Sequence, residues 1–513
     1  MRVALKGGAY TARSVIANCQ RCVNLYGEAN PEGAPAPFTY YPTPGLVSLA
    51  TPPTQDRGRG IYRASNGLLY AVVGQTFYKV GSDFSWTALG TLVDLRTTPV
   101  GMADNQTTLF LVDGSGGGYT LNLASDTFAA VTDAAFYGSP RVDFSDTYFI
   151  FSKPNTAIFY VSNSNAVDFN ALAFATKIGA SDRLVATAVV HREVWLIGER
   201  TTEVWINSGG YPVPYEIMNG AFIEHGCAAV YSIAQMGDAL FWLSDDKQGG
   251  RVVVKGQGYQ TQRVSTHAIE TALAGYSTVS DAVGYTYQQE GHQFYVLTFP
   301  TADKTWCFDM TSGEWHERTW LDSNGLEHRH RGISHAYCYG RNIVQDWETG
   351  RIYAFDLNTY TDNGDPILRR RGFPHLVMNG GRVFYREFLA DMEVGRDVGT
   401  TTKGPTGDVL GPDVVVDTAL GVEPIAVFLG VDDGLSNVYP SKLYLRYSDT
   451  RGQSWSNPIE NDLGATGEFL KSIQFQRLGM ARDRVFEVFW SANVRTALQG
   501  AFVNASAEHE VSM

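Results

Sequence analysis

The sequence predicts an all-β protein: a β-propeller of about seven blade-like repeats, with an additional C-terminal β-sandwich-like domain. Three observations predict it. Strand–loop–strand units recur along the first two-thirds of the chain. Gly is abundant, at 53 of 513 residues, and aromatic residues make up 12%, a composition that suits many short strands joined by tight turns. No long segment carries a 3.6-residue apolar period.

The stretch His191–Asn207, HREVWLIGERTTEVWIN, is the unit that the others copy. Two runs rich in β-branched and aromatic residues, Glu193–Ile197 and Glu203–Ile206, flank the polar loop Gly198–Thr202. That is a hairpin signature. An isolated hairpin is marginal in water, so its Trp and aliphatic side chains need another sheet to bury against. Related units lie at 68–80, 108–121, 147–161, 239–254, 293–308 and 342–355. Steps of roughly 40–50 residues are the period of propeller blades, whose radial packing leaves only short, protected edges.

In order, residues 1–55 read as an extended N-terminal arm. Pro31, Pro35, Pro37, Pro42 and Pro44 remove donors and fix φ, which suits an arm laid over other surfaces better than a sheet interior. The end of the arm, Val47–Ala50, can supply a strand that closes the propeller ring. Residues 56–360 are the propeller, and Ser265–Leu273 within it reads as one or two helical turns. TYTDNGDPILRRRG, residues 359–372, marks a boundary by its turn residues and basic end. Residues 361–513 form the second β domain, with strands expected at 383–393, 425–429, 442–447, 473–477 and 485–491. The Gly-, Thr-, Asp- and Pro-rich segment 397–417 reads as a projecting loop, expected to face a lumen or a distal rim.

The formal charge is −13, from 40 basic and 53 acidic residues. Tight non-specific gripping of nucleic acid needs clustered Lys and Arg, so that role is disfavoured, whereas a surface past which DNA slides without sticking is also acidic. The N-terminal residues lack the apolar core of a signal peptide, and no run reaches the ~18–20 apolar residues of a membrane helix. Synthesis and folding in a cytoplasm are expected, without stable membrane insertion. Five scattered cysteines fit reduced thiols better than a disulfide framework.

Chemistry-bearing motifs are few. Cys19-Gln20-Arg21-Cys22 has CxxC spacing, but no second pair completes a zinc site and no βα pattern follows, so a structural role is expected. Glu327-His328-Arg329-His330 with His335 resembles a ligand cluster without a partner at diagnostic spacing, which favours a polar loop or a subunit contact. Asp113–Gly118 (DGSGGG) lacks the Gly-Lys-Ser/Thr end and the helix of a phosphate loop and reads as a hairpin turn. Ser448–Trp455 partly matches the Asp-box turn, with Thr450 in place of its Asp and Ser454 in place of its Thr. Arg369-Arg370-Arg371 could meet phosphate or an acidic partner, and more commonly such a run pairs with carboxylates of a neighbouring chain. No G-x-S-x-G elbow or HExxH occurs. No catalytic, cofactor-binding or metal residue is assigned, and no cofactor is expected. A propeller glycan hydrolase, which needs two flanking carboxylates, or a glycan-binding tail protein are the competing readings.

An ordered set of short stretches resembles the packaged-DNA stabilisation proteins of short-tailed (podovirus) bacteriophages, also described as tail hub, tail accessory factor or nozzle proteins. It runs from Asn24-Leu25-Tyr26 and Pro42–Leu46 through Glu193–Gly198, Thr201–Trp205, Gly220–Glu224, Gly226–Ala229, Ser265–Glu270, Gly291-His292 and Phe294–Leu297. Trp315–Arg318 and Arg477–Glu487 complete it, so the set spans nearly the whole chain. The resemblance implies a structural virion protein, not an enzyme, made and assembled in the bacterial host cytoplasm. It implies a homohexameric ring below the portal and its adaptor that continues the DNA channel and helps retain the genome. It further implies docking surfaces for tailspikes or fibres and for a tip or plug, with double-stranded DNA passing through the lumen without sequence-specific binding.

Overall fold

The computed structural model describes residues 1–93, 97–245, 249–378, 380–394, 442–464 and 468–507. The segment 397–417 and the strand expected at 425–429 lie outside the described residues. The chain divides into two compact units. One comprises Ser48–Gly313 and Arg329–Phe355; the other comprises Met1–Val47, Glu314–His328 and Asp356–Met513.

The first unit is a propeller of seven sheets. Blades one to five are antiparallel, four-stranded and built from consecutive strands, spanning 58–91, 101–130, 142–176, 184–223 and 234–263. The sixth contributes Val283–Gln289, His292–Phe299 and Lys304–Asp309. In the seventh, Gly332–Cys338, Arg341–Asp346 and Ile352–Asp356 are joined by Gly45–Ala50, whose Ser48–Ala50 end belongs to this unit. An N-terminal strand thus completes the last blade, as its sequence allows. The first strand of blade seven lies beside the first strand of blade one, so the ring closes.

Alternation along the strands explains why this closure is stable. In the fourth blade, Glu193–Gly198 pairs with Thr202–Asn207 so that Trp195 faces Val204 and Val194 faces Trp205 across the ladder. Successive side chains point to opposite faces of a sheet. Trp195, Ile197 and Val204 therefore pack with Trp242 of blade five, while Val194, Leu196 and Trp205 pack with Ile150 and Phe159 of blade three. Both faces are buried, and for that reason the strands read as apolar runs. The same contact recurs between blades one and two through Tyr70 and Leu111, and between two and three through Phe110 and Phe151. Phe241 stacks on Tyr295 at 5.3 Å between blades five and six, and Tyr287 meets Phe355 at 4.8 Å between six and seven. Leu69 and Ile343 join seven to one. Gly256 sits where a Cβ would lie 2.7 Å from the Trp242 ring and 3.0 Å from Trp195, so the bare backbone is what admits both indoles.

Among the described residues one α-helix, His267–Gly275, leaves the blade pattern, and the Thr266 hydroxyl caps it by accepting the Ile269 N–H. Among the described residues no helix is long and apolar enough to cross a membrane.

The second unit is a sandwich of two sheets. One runs in the order Glu314–Glu317, Cys22–Val23, Arg369–Gly372, Asp483–Trp490, Lys442–Ser448, Ile459–Asp462. The other runs Leu25–Ala29, Phe38–Pro42, Ala497–Ala507, Val383–Glu393, Ile473–Gln476. Phe388 of the second sheet meets Phe486 of the first at 5.0 Å, and Tyr385 meets the same ring at 5.6 Å. Leu25–Ala29 and Phe38–Pro42 are thus sheet strands, with Phe38–Pro42 in the interior of its sheet, which corrects the expectation of an arm excluded from sheets. The reason is local. Pro31, Pro35 and Pro37 fall in the loop between the two strands, where they withdraw no ladder donors.

Candidate functional site

Three polar assemblies were candidates for chemistry, and each is best judged by where its hydrogen bonds go. The first lies on the propeller axis. The inner strands of blades one, two, three, six and seven surround a cavity of about 240 Å³ lined by Arg59, Tyr62, Arg141, Asp143, Tyr285 and His335, among others. The Arg59 guanidinium donates to the carbonyls of Thr98 (2.8 Å) and Gly74 (3.1 Å), and Arg141 donates to the carbonyl of Ile233 at 2.7 Å. His335 is tied to Asn342 through Nε2 at 3.0 Å. Burial pushes the Asp143 carboxyl up, with Arg141 opposing. These arginines are engaged by the ring's own backbone, and the volume is below the ~300–1,000 Å³ of ordinary ligand pockets. A cavity of this size is far too small for a DNA duplex to pass along the axis.

The second assembly is a charge ladder in the sandwich. Arg446 pairs with Glu487 (2.6 Å), which approaches Arg370 (3.4 Å). Arg370 in turn pairs with Glu327 (2.8 Å), which meets Arg21 (3.2 Å), itself paired to Glu317 (2.8 Å). Glu317, Arg370, Glu487 and Arg446 sit on strands of the first sheet, Arg21 immediately precedes one, and Glu327 comes from the separate strand Glu327–Arg329; the signs alternate throughout. Burial lowers Arg370, with Glu487 and Glu327 opposing it. The flanking arginines serve the backbone. Arg369 donates to the carbonyls of Ala492 (3.0 Å) and Tyr360 (3.1 Å), and burial lowers it to about 10. Arg371 donates to the Leu5 carbonyl (2.9 Å) and Gln20 Oε1 (2.8 Å) above the Tyr40 ring. The Arg369–Arg371 run therefore meets neither phosphate nor a neighbouring chain. Within it, Arg370 meets carboxylates of its own chain because the adjacent strand brings Glu487 and the separate strand Glu327–Arg329 brings Glu327.

The third assembly has the outline of a Cys–His–Asp triad. Cys19 Sγ lies 3.7 Å from His375 Nε2, and His375 Nδ1 lies 2.7 Å from Asp483. Nε2 is also 2.8 Å from the Val15 carbonyl. A carbonyl only accepts, so Nε2 carries a proton and has no lone pair for the thiol. Burial, with Glu487 and Asp483, pushes Cys19 up to about 11, the opposite of what a thiolate nucleophile needs. The group is a tether for the Val15 segment.

The remaining motifs are dispersed into structural tasks. All five cysteines are buried thiols outside any disulfide, and burial raises Cys22 to about 12. His328 tilts against Trp320, His330 Nδ1 accepts the Gly332 N–H, and His335 serves the axis. Among the described residues no three His, Cys, Asp or Glu are placed to hold a metal ion. Asp113 closes the 113–118 hairpin by accepting the Ser115 N–H, as that turn predicts. In the partial Asp-box, the Thr450 hydroxyl does the work of the missing carboxylate: it accepts the Ser454 N–H at 2.8 Å. Trp455 stacks on Arg446, the outer end of the ladder. The axial cavity holds one carboxylate, Asp143, and a shallower one at the sandwich edge holds Glu387, so neither supplies the paired acids of a glycosidase. The pairing of Arg21, Glu317, Glu327, Arg446 and Glu487 escaped sequence reasoning, although Arg21 and Glu327 lie in motifs it singled out for other reasons. Glu317 and Glu487 fall inside stretches that carry the family resemblance.

Fold and site together define a propeller protein, joined to a sandwich, whose polar clusters are committed to its own framework. Residues 1–360 match the phage stabilisation family described as "Bacteriophage P22 Gp10, beta-propeller". The chain belongs to that family, and is a phage DNA-stabilisation β-propeller protein. Among solved structures, the WD40 domain of Pan2 from Neurospora crassa is similar over 61% of this chain and 94% of its own, at 9% identity and a TM-score of 0.39. The extracellular domain of the hybrid two-component system BT4673 from B. thetaiotaomicron is similar over 61% of this chain and 40% of its own, at 8% identity and a TM-score of 0.41. No curated protein matches the chain.

Proposed function

We propose that this chain is a wall subunit of a short-tailed phage's tail. Six copies form a ring, the hub or nozzle, below the portal and its adaptor. The ring continues the DNA channel, helps to retain the packaged genome, and offers docking surfaces to tailspikes or fibres and to a tip or plug. The observation that carries this reading is the narrow propeller axis, whose cavity of about 240 Å³ admits no duplex. With Arg59 and Arg141 tied to backbone carbonyls, DNA can only run past the outside of a propeller, along a lumen made by several copies. A chain of net charge −13 repels phosphate, so DNA transit stays low in friction. Head-to-tail contacts that close on themselves generate such rings.

The test is genetic. Phage lacking this chain package DNA but release it from filled heads on purification, and the chain supplied in trans restores retention. Heads that stay full without it, with adsorption alone impaired, would refute a role in retention.

A further inference from the structure

One surface of the sandwich runs against the chain's overall charge. Along Val383–Glu393 the outward positions include Phe384 and Arg386, continued backward by Arg382. Phe384 faces Met480 directly across the ladder, and the Arg477 N–H donates to the Arg386 carbonyl, which brings Arg477, Met480 and Arg482 to the same edge. Phe384 and Met480 are 42% and 44% exposed. All four arginines are exposed, and none is ion-paired among the described residues. Each ladder arginine is matched to a carboxylate, so this cluster is not surplus from the same network. On a chain of charge −13, it is a basic island around an apolar centre.

Exposed Arg, Met and aromatic side chains together are the make-up of a protein interface. Phosphate backbone offers nothing to Phe384 or Met480, so duplex DNA fits the patch less well.

A matching surface lies on the propeller. The outer strands of blades three and four, Phe169–Thr176 and Tyr215–Ile223, contain no Lys or Arg. They expose Leu172, Phe174 and Phe222, and Ile178 follows at 70% exposure. Gly179 packs against the Phe222 ring, so the row is continuous between the two blades. Glu216 and Glu224 are exposed along it.

We infer that the arginine-ringed Phe384–Met480 patch of one copy docks on the acidic, apolar outer edge of blades three and four of the next. The inference rests on the ring proposed above and names its contact. Two different surfaces make the contact heterologous, so it propagates from copy to copy and does not stop at a two-fold dimer.

The test uses the full-length chain with the adaptor, read by mass photometry. Arg386→Glu/Arg482→Glu and Glu216→Arg/Glu224→Arg each weaken assembly at least tenfold, while their equal mixture restores it, because each reversed surface then meets its opposite. Unchanged melting temperatures exclude misfolding. Independently, a Phe222→Cys/Met480→Cys chain gives a ladder of covalent multimers on oxidation. Rings formed normally by either reversal variant, or no ladder, overturn this contact and leave the ring standing. A wild-type chain that stays single with the adaptor present overturns the ring and the contact together. Loss of duplex DNA binding in Arg386→Glu/Arg482→Glu with rings intact assigns the patch to nucleic acid and also overturns it.

Discussion

Replacing Glu487 with Gln removes a negative charge from within the ladder that crosses the first sandwich sheet. The side chain is 1% exposed and serves Arg446 at 2.6 Å and Arg370 at 3.4 Å. Removing one partner of a buried pair costs about 3–5 kcal/mol, because the other charge is left uncompensated. Here the two arginines differ. Arg446 is 23% exposed at its side chain and can recover hydration, whereas Arg370 is 4% exposed and keeps only Glu327, at 2.8 Å. The expected cost is therefore at the low end, about 3 kcal/mol. For a unit of this size each kcal/mol moves the melting temperature by roughly 2–4 °C, so the sandwich transition should fall by roughly 6–12 °C in differential scanning calorimetry. Glu460→Gln, two strands away in the same sheet, is the control. Its pair with Lys442 is solvent-exposed on both sides and should matter by less than about 1 kcal/mol. Because the penalty comes from a stranded cation, Arg370→Met combined with Glu487→Gln should be no worse than Glu487→Gln alone. A Glu487→Gln shift as small as the control, or a double variant much worse than the single, would refute the reasoning.

Other outcomes follow from the same structure. Gly256→Ala drives a Cβ into the Trp242 ring and should destabilise the propeller by about 1–3 kcal/mol in chemical denaturation. Burial raises Asp309, but hydrogen bonds from His292 and Ser312 outweigh it and hold the carboxyl low. A carboxyl lowered by folding contributes stability above its unfolded value of about 4 that is lost as pH falls through the folded value. Asp309→Asn should therefore lower stability at neutral pH by about 1–3 kcal/mol and flatten the acid limb below pH ~4. Burial lowers His335 to about 4. Between pH ~6.5 and ~4 only the unfolded chain takes up that proton, so stability declines across this window by on the order of 3 kcal/mol, and His335→Gln removes the decline. Cys19 and Cys22, pushed up to about 11 and about 12, should resist alkylation at pH 8 until the chain is denatured; mass spectrometry of the native protein reads this directly.

The blades were legible because their information is local. Each strand carries its own apolar run, and both faces of a blade are buried, so a simple reading of Glu193–Ile197 or Glu203–Ile206 suffices. Even there one turn was missed. His191 and Arg192 both take positive φ, at 52° and 69°, and join Leu184–Val190 to Glu193–Gly198 without the Asn or Gly that normally marks such a turn. The sandwich was only half legible. Its C-terminal strands show alternation, but Cys22–Val23, Leu25–Ala29 and Phe38–Pro42 enter its sheets from the far end of the chain, past a proline-rich loop. The charge ladder was not legible at all. Arg21 and Glu317 are 296 positions apart, and Arg369–Arg371 read as a surface cluster because nothing local says that three adjacent arginines are buried. Pairing between distant strands supplies that fact.

The most direct measurement is the mass and image of the complex formed when the full-length chain is added to the portal and adaptor. A closed ring of six copies around an open lumen, with DNA running outside each propeller axis, is the predicted result. A single copy bound or free, or density for DNA threaded along the axis past Arg59 and Arg141, would contradict it.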